Sequence, residues 1–100
     1  MRIFLRNDSA SKALAKIHGN PNWKRGMILQ VLGAGTAWFD TDRAPLENTD
    51  AAGIPTQGSS ITAATGAMNF DFWEDDLWLR GSVIGVAVEV TPLWRAKDGK

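Results

Sequence analysis

Hydrophobic and polar residues alternate most clearly between residues 66 and 90. Met68, Phe70 and Phe72 are separated by Asn69 and Asp71, and Val86, Val88 and Val90 by Ala87 and Glu89. Side chains on a strand change face at every residue, so this spacing predicts strands with one face in a core. Leu77-Trp78-Leu79-Arg80-Gly81 predicts another strand, and Glu74-Asp75-Asp76 before it reads as an acidic turn joining two neighbouring strands. On this reading the second half of the chain is β.

The first half follows suit. Arg2-Ile3-Phe4-Leu5-Arg6 predicts a short strand, followed by turn residues at Asn7-Asp8-Ser9. Ser11 to His18 admits two readings. Ala13, Leu14 and Ile17 fit a helical stripe that Ser9 or Ser11 caps, but the β character of the rest favours a strand. Gly19-Asn20-Pro21-Asn22 is a break. The mostly apolar run Gly26–Leu32 predicts a central strand, Gly33-Ala34-Gly35 a tight turn, and Thr36–Asp40 the return strand of a hairpin.

Residues 41–60 lack periodicity. Thr41 to Gly53 is polar and small and reads as a long loop; Ile54-Pro55 and Ser60-Ile61-Thr62 read as short edge pieces, since proline suits an edge. The last strand is predicted from about Gly85 to Thr91, ended by Pro92-Leu93-Trp94, with 95–100 a charged tail. About seven or eight short strands with glycine-rich turns predict an all-β fold, a small β-sandwich or jelly-roll-like barrel.

One hundred residues is the size of a single domain. Eleven basic and eleven acidic side chains cancel, so no global field draws nucleic acid or an anionic membrane. The absence of cysteine excludes disulfides, thiolate nucleophiles and thiolate metal sites. Residues 1–20 are interrupted by Arg6, Asp8, Lys12 and Lys16, so no signal peptide is expected.

Candidate chemistry is sparse. His18 is the one histidine and has no partner set for a zinc site or a triad, so it reads as a loop residue. Glu74-Asp75-Asp76 would attract Ca²⁺, but consecutive carboxylates on an extended chain diverge, and a solvated hairpin tip is the better reading. Gly33-Ala34-Gly35 lacks the third glycine and the strand-to-helix context of a phosphate loop. Lys24 and Arg25 beside Trp23 make a weak nucleic-acid signal. No catalytic constellation emerges, and no cofactor or metal is expected.

Five tryptophans and no tyrosine are many for a core of this size. Some are expected inside, with Trp78 the best core candidate, and one or two at a protein interface. Phe4, Trp23, Trp73 and Trp94 lie near termini or turns and are the contact candidates.

The succession Gly19–Gly26, the strand Met27–Leu32, Gly33-Ala34-Gly35-Thr36, Gly53-Ile54-Pro55, Gly66–Phe72, Leu77-Trp78-Leu79 and Val86–Val90 resembles small β-sandwich virion proteins of tailed bacteriophages. The resemblance covers residues 19–90 and rests on turns and core positions. It implies a non-enzymatic virion protein made in the host bacterial cytoplasm. The first choice is a capsid decoration, or cement, protein that bridges neighbouring major capsid subunits. Its partners would be the major capsid protein or another virion protein, and further copies of itself, with a trimer favoured. The N-terminal segment and the 41–60 loop would be its arms. The alternative is a tail- or fibre-associated protein, or a carbohydrate-binding module that uses exposed tryptophans.

Overall fold

The computed structural model describes residues 1–18 and 22–96. In chain order these form β1 (Arg2–Leu5), β2 (Ser11–Leu14), β3 (Trp23–Leu32), β4 (Thr36–Asp40), a short helix α1 (Ala44–Glu47), β5 (Ser59–Thr62), a 3-10 turn (Ala63–Thr65), β6 (Met68–Phe70), β7 (Leu77–Gly81) and β8 (Val86–Ala96). The strands make two four-stranded antiparallel sheets, ordered β1-β8-β3-β6 and β2-β7-β4-β5. The protein is a small β-sandwich, as the alternation predicts. The strand reading of Ser11 to His18 holds for 11–14 and not for 15–18, and the Gly19–Pro21 part of the break lies outside the described residues.

The core is the sum of the alternating faces. Met27, Leu29 and Val31 of β3 and Val86, Val88 and Val90 of β8 are buried, as are Ala37, Phe39, Ile61, Leu77 and Leu79 of the opposite sheet. Each large apolar side chain removed from water contributes about 1.5–3 kcal/mol. Leu5 and Leu14 extend this core from the strands nearest the N-terminus.

The pairing differs from the predicted hairpins. Gly33-Ala34-Gly35 is a turn and Thr36–Asp40 a strand, but β3 and β4 belong to different sheets. Glu74–Asp76 likewise joins β6, which pairs with β3, to β7, which pairs with β2 and β4. It is a crossover between layers and not a hairpin tip. Among the described residues, β4 and β5 are the one consecutive pair that hydrogen-bonds to each other. Alternation reports which face of a strand is buried and is silent about its neighbour. Gly35 makes the β3–β4 switch possible: its φ is 102°, and a Cβ there would meet Val86 Cγ2 at 2.7 Å.

Two strands are longer than predicted. β3 begins at Trp23, and β8 continues through Pro92 to Ala96. The Val90 N–H donates to Met1 O at 2.9 Å, so the even-numbered residues of β8 turn their backbone groups toward β1. Pro92 has the same orientation and lies beyond the end of β1, where no ladder donor is required.

Residues 41–58 are not an extended arm. They fold back on the outer face of the β2-β7-β4-β5 sheet, where Leu46 is fully buried. Arg80, itself buried, donates from Nη1 to Leu46 O at 2.8 Å and from Nη2 to Asn7 O at 2.9 Å. A Thr49–Pro55 bridge and the Asp50 Oδ1 acceptor for the Ala52 and Ile54 amides close the segment. Leu46 and Pro55 are its buried residues, with Arg80 and the Ala10–Glu47 hydrogen bond holding them from outside, and so few apolar positions leave no periodic signal. The N-terminal segment is equally committed, as the edge strand β1.

Candidate interaction surfaces

The long β3–β8 ladder fixes where the exposed aromatic residues stand. Trp23 pairs with Ala96 and Arg25 with Trp94, so Trp23, Arg25 and Trp94 share one face of the two-stranded end. Trp23 is 44% and Trp94 55% exposed. Arg25 lies under this end and is buried. Its Nε donates to Trp73 O at 2.9 Å, Nη1 to Ala15 O at 2.8 Å and Nη2 to Asp75 O at 3.0 Å. Its guanidinium carbon also lies 5.9 Å from the Trp94 ring centroid, a cation–π contact. Burial pushes the Arg25 pKa down, and the nearby Glu74 and Asp76 charges oppose that shift. One planar cation thus ties the segment after β2 and the β6–β7 crossover to β3, and so supports the exposed tryptophan end.

Phe4 is at the other end of the ladder. It pairs with Ala87, which pairs with Leu32, and it is 67% exposed. Val83 and Ile84 are exposed at the same end in the β7–β8 connection, whose Gly85 N–H donates to Leu5 O at 2.9 Å. Ile84 is 80% exposed. These two aliphatic residues were not among the sequence candidates. The signal was present: an apolar pair between Gly81-Ser82 and Gly85 occupies a turn, where it has no core to face.

Trp73 differs from the other candidates. It is half-buried, packs on the core, and meets Phe39 and Phe70 with ring centroids 5.9 and 5.3 Å away. Its Nε1 donates to Asp76 O at 3.2 Å. Trp78, expected in the core, is on the opposite face of β7 because Leu77 and Leu79 take the inner positions. There it lies between the Lys12 and Arg43 cations, at 5.4 and 5.9 Å. None of the five tryptophans is among the fully buried core residues.

The acidic run has structural partners. Ile17 N–H donates to Glu74 O at 2.9 Å, Lys16 N–H to Asp76 Oδ1 at 2.7 Å, and Lys12 Nζ is 3.7 Å from Asp76 Oδ2. Among the described residues no group of His, Cys, Asp or Glu side chains is arranged to hold a metal. His18 is exposed in the connection between β2 and β3. The structure therefore offers two apolar ends, built on one rigid ladder and separated by roughly 30 Å of strand. No family model, curated protein or solved structure matches this chain.

Proposed function

We propose that the chain is a non-enzymatic structural protein of a tailed-phage virion, a capsid decoration protein that bridges neighbouring major capsid subunits. The observation that carries this reading is the placement of exposed apolar side chains at both ends of an elongated body, with extents of 47 × 25 × 17 Å. A bridge needs two contact surfaces held at a fixed distance. The β3–β8 ladder holds Trp23 and Trp94 at one end and Phe4, Val83 and Ile84 at the other. Large exposed aromatics are the residue types that dominate interface energies. The resemblance to phage β-sandwich virion proteins supplies the biological setting, including trimers at local threefold positions.

Co-sedimentation with capsids lacking their decoration protein tests the reading. Saturable binding is expected. Trp94→Lys and Ile84→Lys should each weaken it, because each places a charge in one of the two contacts. Absence of binding, or binding indifferent to both substitutions, overturns the proposal.

A further inference from the structure

β8 is longer than the strand that covers its outer side. It runs from Val86 to Ala96, but β1 pairs with it only from Val86 to Glu89, and Met1 ends that ladder at Val90. On its other side β3 pairs with it from Ala87 to Ala96. Met1 and Val90 exchange both backbone bonds, so the even-numbered residues of β8 aim their backbone groups away from β3. Past Val90 these groups belong to Pro92, Trp94 and Ala96. Among the described residues no strand pairs with that side of Pro92–Ala96, and no backbone group bonds to it. Unpaired ladder groups on a strand edge are a template for another strand.

The remaining edges are less suited to pairing. β6 is three residues long, and on β5 the Thr62 N–H already donates to Thr65 Oγ1. Two copies of β1 centred on Phe4 would set Arg2 opposite Arg6, and two copies of β2 centred on Lys12 would set that lysine opposite itself. Like charges directly opposite are destabilising.

The β8 edge is complementary to itself. Two copies of Pro92–Ala96 fit when laid antiparallel across a twofold axis at Trp94. Each Trp94 N–H then donates to the Trp94 carbonyl of the other copy, and each Ala96 N–H to the other copy's Pro92 carbonyl. Pro92 has no N–H to return, which leaves only the Ala96 carbonyl, at the strand end, to water. Leu93 stands opposite Arg95, so no like charges meet. The two Trp94 side chains, each 55% exposed in the single chain, become a cross-strand aromatic pair. Neighbouring registers lose this fit. One centred on Leu93 sets Ala96 opposite Val90, whose groups Met1 already holds, and one centred on Arg95 opposes the two Arg95 charges.

We propose that the Pro92–Ala96 edge of β8 is a homodimer interface, at which two copies pair their β8 strands about a twofold axis at Trp94 and join their sheets into one. Such an isologous contact closes on itself. It leaves Phe4, Val83 and Ile84 at the two far ends. It forms between free molecules, so it does not rest on the capsid reading, and it is distinct from contacts at threefold positions.

The test is sedimentation equilibrium of the full chain without capsids, over a range of concentrations, with amide exchange followed alongside. A reversible monomer–dimer equilibrium is expected, with exchange at Trp94 and Ala96 slower in the dimer. Ala96→Pro removes an N–H that faces away from β3, so the fold should persist while dimerisation weakens about tenfold. Leu93→Glu should strengthen the dimer by facing Arg95 of the other copy, and Leu93→Arg should weaken it. Ile84→Lys should leave it unchanged, even though that variant is expected to lose capsid binding, so either reading can fail without the other. A monomer at every concentration, or a trimer, overturns the proposal. So does a dimer indifferent to Ala96→Pro and to both Leu93 substitutions.

Discussion

Arg25 and Arg80 are the two buried charged residues among the described ones, and both spend their donors on backbone carbonyls. Truncating Arg25 would leave the carbonyls of Ala15, Trp73 and Asp75 without their partner. Arg25→Met should cost about 2–4 kcal/mol in denaturant unfolding. Arg25→Lys should recover little of this, because an ammonium lacks the planar fork that spans three acceptors. A pH effect belongs to Glu47. Its carboxyl is held below the usual range, first by the Ala10 N–H that donates to Oε1 at 2.9 Å and then by Arg43 and Arg80. The unfolded chain therefore takes up this proton at a higher pH than the folded chain. The stabilisation is complete above the ordinary glutamate range, near about 4.3, and fades as pH falls through the lower folded value. Denaturant midpoints measured from neutral to acid pH should fall less steeply for Glu47→Gln than for the parent.

At the level of elements, the connections carry what the strands lack. The 41–58 segment is polar along most of its length, yet Leu46 within it is fully buried. Leu46→Ala should cost about 2–4 kcal/mol and expose the segment to limited proteolysis, a result a free loop would not give. Gly26 has an equally specific role. A Cβ there would collide with the Phe70 carbonyl oxygen and lie 2.9 Å from Asp71 O. Gly26→Ala should therefore push β6 off β3 and destabilise by about 2 kcal/mol or more, with amide exchange fastest at Met68–Phe70. Both positions are visible in the sequence only as an ordinary leucine and an ordinary glycine. Their importance comes from what the chain folds against them.

For the molecule entire, the consequence of the topology is that strand contacts join distant parts of the sequence. β1 pairs with β8 and β2 with β7, so the edge of each sheet closes on residues near the other end of the chain. Loop-closure entropy precedes those contacts, and stopped-flow refolding should run in the slow, millisecond-to-second range of non-local β proteins. The same ladder sets the distance between the two apolar ends. Ile84→Lys lies in an exposed turn and should fold with an unchanged denaturant midpoint, whereas Trp94→Lys also removes the contact with Arg25 and should lower the midpoint modestly, at a cost of about 1 kcal/mol. The two lie at opposite ends, so their effects on the proposed capsid binding should be separable.

Much of this protein could be read directly from its residues. The β class, the position of nearly every strand, the buried face of β8, and the candidacy of Phe4, Trp23 and Trp94, which are exposed, follow from alternation and from proximity to turns, while in β7 the core positions went to Leu77 and Leu79 and not to the expected Trp78. Periodicity is a local property, and burial of one strand face is its direct cause. Pairing is not local. Whether Gly33-Ala34-Gly35 returns a strand to its neighbour or sends it to the other sheet depends on packing across the core. So does the change of Glu74–Asp76 from a hairpin tip to a crossover held by Arg25. The aromatic cluster at Trp73 has the same origin. Phe39, Phe70 and Trp73 are scattered over the chain, and they meet because the two sheets pack face to face.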